Sequence, residues 1–255
     1  MILRPLDRAF SPRSVGDGAC FMLIAVCVPL TYMFQVTVIM PELHDVGSFW
    51  YTAVWLAGIF LVFNITSNML ACMLVDTSIK LHILKPPVDS NLLSRWHMCD
   101  ACQTLVPPRS WHCEICNVCV LKRDHHCRFT CCCIGHHNYR YFFYFLFYMG
   151  LGALYVSINA SIYLWYLHAD YYWRPYTLLT VFVPALSLTV HASWENFYVR
   201  GAVMKERSTN KYNLGLRANM EMVFGKRMHL TWLSPFVRSD LPHDGVNWEP
   251  ATKEE

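Results

Sequence analysis

Four long apolar stretches constrain this 255-residue chain more than any other feature. They run over approximately Cys20–Met40, Phe49–Val75, Tyr141–Leu167 and Tyr176–Val199, and they contain no Lys, Arg or Asp. Each has the roughly 20 residues that an α-helix needs to cross a hydrocarbon core. Four buried helices of a soluble protein would leave too little polar surface to cover them, since 55% of the chain is hydrophobic and only 15% is charged. The pattern therefore predicts an α-helical integral membrane protein with four transmembrane helices.

Basic residues lie almost entirely on one side of these predicted spans. Of the 21 Lys and Arg residues, 20 fall outside the spans at the two ends of the chain and in its centre, and only Arg174 lies elsewhere. Because cytosolic loops collect Lys and Arg, both termini and the central segment are predicted to be cytosolic. The predicted organisation is a cytosolic N-terminus (1–19), two spans (20–75), a cytosolic cysteine-rich insert (76–140), two further spans (141–199) and a cytosolic tail (200–255).

The insert between the second and third spans has the spacing of a metal-binding segment. Nine of the twelve cysteines lie between Cys99 and Cys133, and repeated Cys-x2-Cys pairs alternate there with His. Such residues supply the tetrahedral sulfur and nitrogen ligands of structural zinc, and a cytosolic location argues against disulfides. Eight candidate ligands divide into two sets of four. One partition that the spacing allows gives Cys99, Cys102, His112 and Cys119 to a first Zn²⁺, and Cys113, Cys116, His126 and Cys133 to a second. Metal binding would then provide the folding free energy of the insert.

One cysteine remains beside the predicted zinc ligands. If His126 binds metal, the run Asp124-His125-His126-Cys127 leaves His125 next to Cys127, with Asp124 upstream. A thiolate is the reactive form of cysteine, an imidazole can accept its proton, and a carboxylate can orient the imidazole. The same residues could instead be further metal ligands or surface side chains, because adjacency in sequence does not establish the geometry of a triad. Cys127, His125 and Asp124 are thus candidate catalytic residues.

Taken together, the chain resembles the DHHC protein S-acyltransferase (palmitoyltransferase) family over its whole layout. The most specific similarity lies between Cys99 and Phe142. It includes Pro108-Arg109-Ser110-Trp111-His112-Cys113, the Asp124–Cys127 tetrad, Cys133-Ile134-Gly135, Asn138, Arg140 and Phe142. Weaker similarity in the tail covers Tyr212, Gly215, Asn219 and Val223-Phe224-Gly225, where Asn219 would make a structural contact.

The resemblance implies a two-step, ping-pong reaction at the membrane surface. Cys127 would attack the thioester of a long-chain acyl-CoA such as palmitoyl-CoA, with His125 as general base and Asp124 as its orienting partner. A membrane-associated protein with a juxtamembrane cysteine would then accept the acyl group. The family also implies two structural Zn²⁺ ions and a place in the lipid bilayer of the Golgi or endoplasmic reticulum.

Three positions depart from the family pattern and keep other interpretations open. Asp76-Thr77-Ser78 replaces Asp-Pro-Gly, Ser208-Thr209-Asn210-Lys211 replaces Thr-Thr-x-Glu, and Arg128-Phe129 replaces Pro-Trp. These changes leave room for a catalytically weak or silent zinc-stabilised membrane scaffold. A RING-like ligase or a nucleic-acid zinc module would not explain the tetrad, and a net charge of +3 without an aromatic single-strand platform argues for no nucleic-acid partner. Cys131 and Cys132 are extra thiols that could accept acyl groups, oxidise or have no role, and one of them could exchange into the zinc site beside Cys133.

Overall fold

A computed structural model describes residues 3–79, 84–166, 212 and 214–248, with the backbone alone for 164–166. The predicted fourth span and the segment Ser208–Lys211 lie outside these described residues. The chain divides into two compact units. One contains the residues up to Phe21, Asn68–Phe142 and the described residues from Tyr212 onward, and the other contains the intervening helical segments.

Three helical segments are long and apolar enough to cross a membrane, and they correspond to the first three predicted spans. The helices of the described chain are α1 (Leu6–Ala9), α2 (Val15–Phe34), a π-helical turn (Gln35–Ile39), α3 (Met40–Leu43), α4 (Phe49–Leu74), α5 (Ser90–Leu93), α6 (Tyr139–Tyr166) and α7 (Leu216–Phe224). The first segment begins five residues before the predicted boundary because Ser14 caps it. Its hydroxyl oxygen accepts a hydrogen bond from the Asp17 N–H at 3.1 Å, which satisfies one of the free donors of the first helical turn.

The π-helical turn has a local cause in the sequence. It lies just before Pro41, whose ring would clash with the carbonyl four residues earlier in a regular α-helix. In the widened turn the Met40 N–H donates to the carbonyl of Gln35, so the helix continues past the proline.

In the helical unit, a small buried core joins the first and third apolar segments. Ile39, Val156 and Ala160 form its centre. The Tyr155 hydroxyl also donates to the Val54 carbonyl at 3.1 Å, which links α6 to α4. Apolar packing and a few interhelical hydrogen bonds are the interactions expected to stabilise the association of membrane helices.

The cysteine-rich insert folds into three two-stranded antiparallel hairpins. Hairpin 1 pairs β1 (His97–Cys99) with β2 (Thr104–Val106), hairpin 2 pairs β3 (Trp111–Cys113) with β4 (Val118–Val120), and hairpin 3 pairs β5 (His125–Cys127) with β6 (Cys132–Ile134). Each strand has only three residues, and an isolated hairpin of this size is at best marginally stable in water. These hairpins therefore need cross-links beyond their own backbone hydrogen bonds.

Candidate active site and metal centres

The three hairpins repeat one pattern with a period of 14 residues. The first strand ends at Cys99, Cys113 and Cys127, respectively. A four-residue turn follows each time, and its last residue has a left-handed backbone, with φ of 51°, 52° and 51° at Gln103, Asn117 and Cys131. The 14-residue period is visible in the sequence as the spacing of Cys99, Cys113 and Cys127, but the metal-ligand spacing considered above did not reveal it.

Cluster 1 comprises Cys99, Cys102, His112 and Cys119, the residues that the spacing gave to the first metal. Hairpin 1 contributes the two thiols at its turn, and hairpin 2 contributes His112 and Cys119, which face each other across its strands. The Cys119 sulfur lies 3.4 Å from that of Cys99 and 3.5 Å from that of Cys102. The Cys102 sulfur lies 3.3 Å from Nδ1 of His112.

Cluster 2 comprises Cys113, Cys116, His126 and Cys133, the residues given to the second metal, and it repeats this arrangement one hairpin further on. The Cys116 sulfur lies 3.2 Å from Nδ1 of His126 and 3.6 Å from the Cys133 sulfur. In both clusters all four ligand atoms lie within 4.8 Å of one another. Four atoms placed tetrahedrally about 2.3 Å from one ion are about 3.8 Å apart, so both donor sets fit zinc. That they bind zinc stays a prediction.

The side chains of strand β5 alternate between its two faces, which separates the cluster 2 residue His126 from the predicted nucleophile Cys127. Successive side chains of a strand point to opposite faces. His126 lies opposite Cys133 in the register, and both belong to cluster 2. His125 and Cys127 therefore project from the other face of β5. The structure thus places Cys127 outside both clusters, beside His125.

The Asp124–His125 pair has the geometry of an oriented imidazole. Nδ1 of His125 lies 2.7 Å from Oδ2 of Asp124, so this carboxylate can accept the Nδ1 proton and leave Nε2 for other chemistry. The ring of His125 packs edge-on against Phe142 at a centroid distance of 5.0 Å. The imidazole side chain remains 38% exposed, which leaves it accessible to a reactant.

Mutual hydrogen bonding favours the charged forms of His125 and Cys127. Burial lowers the pKa of His125, but hydrogen bonds and charge from Asp124 and Cys127 outweigh burial and raise that pKa to about 9. Burial raises the pKa of Cys127, but hydrogen bonds to His125 and Thr130 and the charge of His125 outweigh it, so the pKa lies below its ordinary value. The site can therefore hold an imidazolium beside a thiolate.

The two extra cysteines lie outside the metal clusters and are both buried. The Cys131 thiol contacts the carbonyl of Asp17 at 3.4 Å, and the Cys132 thiol contacts the carbonyl of Cys72 at 3.4 Å. In this structure neither has exchanged with Cys133.

One departure from the family pattern has a structural explanation. At the Asp76-Thr77-Ser78 position, Oδ1 of Asp76 accepts a hydrogen bond from the Ser78 N–H at 2.9 Å and lies 3.7 Å from Nε of Arg4. The turn is therefore closed by the aspartate itself, without Pro-Gly.

Asn138 is a fully buried side chain whose structural role the sequence did not reveal. Its amide nitrogen donates to the carbonyls of Cys72 at 3.2 Å and Cys133 at 2.9 Å, and its oxygen accepts from the Gly135 N–H at 2.8 Å. It therefore ties the end of β6 to the end of α4. In the tail, the side-chain oxygen of Asn219 accepts a hydrogen bond from the Leu214 N–H at 3.2 Å.

A second buried side chain, Asp17, was missed altogether. Its Oδ2 lies 3.2 Å from Nε2 of His126. The signal available in the sequence was Ser14-x-x-Asp17, a helix-start pattern in front of the first apolar stretch.

Comparison with known proteins agrees with the resemblance. A family model described as DHHC palmitoyltransferase matches residues 93–212. The probable palmitoyltransferase ZDHHC24 of Danio rerio is 35% identical over 80% of this chain and 78% of that protein. The human protein of the same name is 30% identical over 74% of this chain and 76% of its own length. Palmitoyltransferase ZDHHC15 of Xenopus laevis is 34% identical over 55% of this chain and 47% of its length. The chain belongs to the DHHC palmitoyltransferase family.

Proposed function

We propose that this chain is a protein S-palmitoyltransferase that carries the acyl group as a thioester on Cys127. The observation that supports this most directly is the 2.7 Å contact between Asp124 and His125. His125 and Cys127 lie on the same strand, β5, and Cys127 is outside both metal clusters. Membership of the family and the names of its relatives support the same activity. The roles of the three residues are part of the proposal.

In the first step the Cys127 thiolate attacks the carbonyl carbon of a long-chain acyl-CoA. A new carbon–sulfur bond forms to Cys127, the bond to the CoA sulfur breaks, and the departing CoA thiolate can take the proton held by His125. Asp124 fixes the imidazole through Nδ1 and stabilises its positive charge. The lowered pKa of Cys127 increases the fraction of its sulfur that is present as the nucleophilic thiolate.

In the second step a cysteine of a membrane-associated protein takes the acyl group. His125 accepts the proton of the incoming thiol, the new thiolate attacks the acyl-enzyme, and Cys127 leaves as a thiolate. The partial exposure of His125 allows a second thiol to approach it. Free enzyme is regenerated, as a ping-pong mechanism requires.

The proposal gives the eight ligand candidates a structural role. Cys99, Cys102, His112 and Cys119 would hold one Zn²⁺, and Cys113, Cys116, His126 and Cys133 a second. When bound, these ions would cross-link successive hairpins and contribute to their folding free energy. Cys127 is not among the ligands, so its sulfur stays free to react.

We further propose that the chain is a multi-pass protein with four spans and with the insert and both termini in the cytosol. The three apolar helices support membrane insertion, and the distribution of Lys and Arg supports the orientation. In this arrangement the nucleophile lies where acyl-CoA and juxtamembrane cysteines meet. A Golgi or endoplasmic reticulum location follows the family's usual setting, and no nucleic-acid partner is proposed.

Acyl loading of the purified full-length chain tests the proposal. Incubation with an alkyne analogue of palmitoyl-CoA should label the wild type through a bond that hydroxylamine cleaves. Cys127→Ser should lose this label, whereas Cys131→Ser, a matched change in the same hairpin, should keep it. Equal labelling of Cys127→Ser and wild type would contradict the assignment of the nucleophile. An unlabelled wild type with both metals bound would instead support the scaffold interpretation.

A further inference from the structure

We propose that Asp17 is a positioning residue of the second metal centre, whose carboxylate holds His126 with Nδ1 turned toward the metal and so orients the strand that carries Cys127. This inference rests on the proposed assignment of His126 to a metal. It adds a ninth residue, from the first apolar helix, to the eight candidate ligands.

The two ring nitrogens of His126 have different partners. Nδ1 lies 3.2 Å from the Cys116 sulfur inside cluster 2, and Nε2 lies 3.2 Å from Oδ2 of Asp17. A neutral imidazole carries one proton, so a nitrogen that binds metal leaves the proton on the other nitrogen. The Nε2–H can then donate to the carboxylate, as commonly seen behind histidine ligands of zinc.

The position of Asp17 in its helix explains how the carboxylate reaches the cluster. Ser14 is the N-cap of α2, and Asp17 is the third residue of the first turn. An acidic residue at this position often returns to the N-cap backbone. In this chain its Oδ2 is directed instead at His126, which is 109 residues away in sequence.

Burial distinguishes this contact from ordinary helix capping. Asp17 is 0% exposed, and its Oδ1 has no hydrogen-bond partner in the part of the chain that the structure describes. An acidic residue stabilises the start of a helix equally well at the surface, whereas burying a carboxylate is costly unless it is hydrogen-bonded. The helix alone gives no reason for this burial, but the donor on His126 does.

A second contact joins the same helical turn to hairpin 3. The Cys131 thiol donates to the backbone carbonyl of Asp17 at 3.4 Å. The side chain of Asp17 thus contacts β5 and its backbone contacts the turn that follows β5. Cys127 lies between these two points, so a displacement of His126 or of the turn would reach the nucleophile.

Zinc release from the full-length chain in detergent tests this role. The chain is challenged with a chromogenic chelator, and zinc content is measured before and after. Asp17→Asn keeps the side-chain size but removes the charge, and we expect it to release one of two zinc ions about 10–100-fold faster than wild type. Acyl loading of Cys127 should slow in parallel. Ser14→Ala, which removes only the cap, and Asp7→Asn, which changes an exposed acid in α1, should release zinc within about twofold of wild type.

A double substitution separates positioning of His126 from general support of the helix. In a His126→Cys background the ligand has no second nitrogen, so Asp17→Asn should cause no further acceleration of zinc release. Equal acceleration in both backgrounds, or equal effects of Asp17→Asn and Ser14→Ala, would overturn the inference. The Asp17→Asn variant could itself fail to fold. In that case, normal folding of the double variant with His126→Cys supports the inference, and misfolding of both the single and the double variant overturns it. Wild type lacking the second zinc would refute the metal assignment, while acyl loading reports on the proposed activity independently.

Discussion

Hairpins 2 and 3 have the same backbone but different chemistry. In each, a histidine and a cysteine face each other across the strands and belong to a metal cluster, His112 with Cys119 and His126 with Cys133. In each, a cysteine ends the first strand. In hairpin 2 this cysteine, Cys113, is part of the next cluster, whereas in hairpin 3 the corresponding residue is the proposed nucleophile.

One turn position and the element that follows each hairpin account for this difference. Hairpin 2 is followed by hairpin 3, which supplies His126 and Cys133 to cluster 2, whereas hairpin 3 is followed by α6. Three residues after the strand end, hairpin 2 has Cys116, whereas hairpin 3 has Thr130. The Cys116 N–H donates to the Cys113 sulfur at 3.4 Å, and the backbone of Thr130 hydrogen-bonds to Cys127 in the same way. The turn that would stabilise a metal-bound thiolate at Cys113 can therefore also stabilise a free thiolate at Cys127. The proposed active site lies where the first two ligands of a third cluster would lie in the repeat.

The largest effects should come from substituting the two matched cysteines. Cys127→Ala should abolish acyl loading while zinc content stays at two ions per chain. Cys113→Ala should lose one zinc and, because cluster 2 supports β5, lose acyl loading as well. Zinc content and acyl loading measured on the same samples check this difference. Equal loss of zinc from the two variants would mean that Cys127 is also a ligand.

A smaller, pH-dependent effect is expected from Asp124→Asn. The carboxylate helps to raise the pKa of His125 to about 9, and protonated His125 lowers the pKa of Cys127. Without the carboxylate the pKa of His125 falls and that of Cys127 rises, so less thiolate is present at neutral pH. We expect acyl loading at pH 7 to drop about 100-fold relative to wild type, and the difference between the two proteins to narrow toward pH 9. A pH-independent loss would show that Asp124 acts only on structure.

The sequence predicted the parts of the site that depend on residue type and spacing more readily than those that depend on long-range contacts. Apolar length and composition predicted the three described membrane helices, and the Cys-x2-Cys spacing grouped the eight ligand candidates as they lie in the structure. The first apolar helix begins at Val15, before the apolar stretch that starts near Cys20, because a cap, Ser14, extends the helix into polar sequence. Asp17 was missed because its partner, His126, is brought to it only by tertiary folding.

Thr130→Val should have a moderate effect, because it removes the hydroxyl but keeps the backbone N–H and the shape. The side chain of Thr130 hydrogen-bonds to Cys127 and also accepts a contact from the Cys132 thiol at 3.4 Å. Loss of one hydrogen bond to a charged sulfur should slow acyl loading about 10-fold. Thr130→Ser, which keeps a hydroxyl, should stay close to wild type. If the two variants behave alike, the backbone of the turn alone supports the thiolate.

The smallest effect is expected at Cys131, the left-handed residue that ends the turn of hairpin 3. The equivalent residue of hairpin 2 is Asn117, and asparagine adopts this backbone region more readily than cysteine. Cys131→Asn should therefore relieve backbone strain of less than about 1 kcal/mol, which offsets loss of the thiol contact with Asp17. Acyl loading and zinc release should both stay within about twofold of wild type. A large loss of zinc would instead show that the Cys131 sulfur exchanges into cluster 2, and hairpin 3 would then contribute a turn thiol to a cluster as hairpin 2 does.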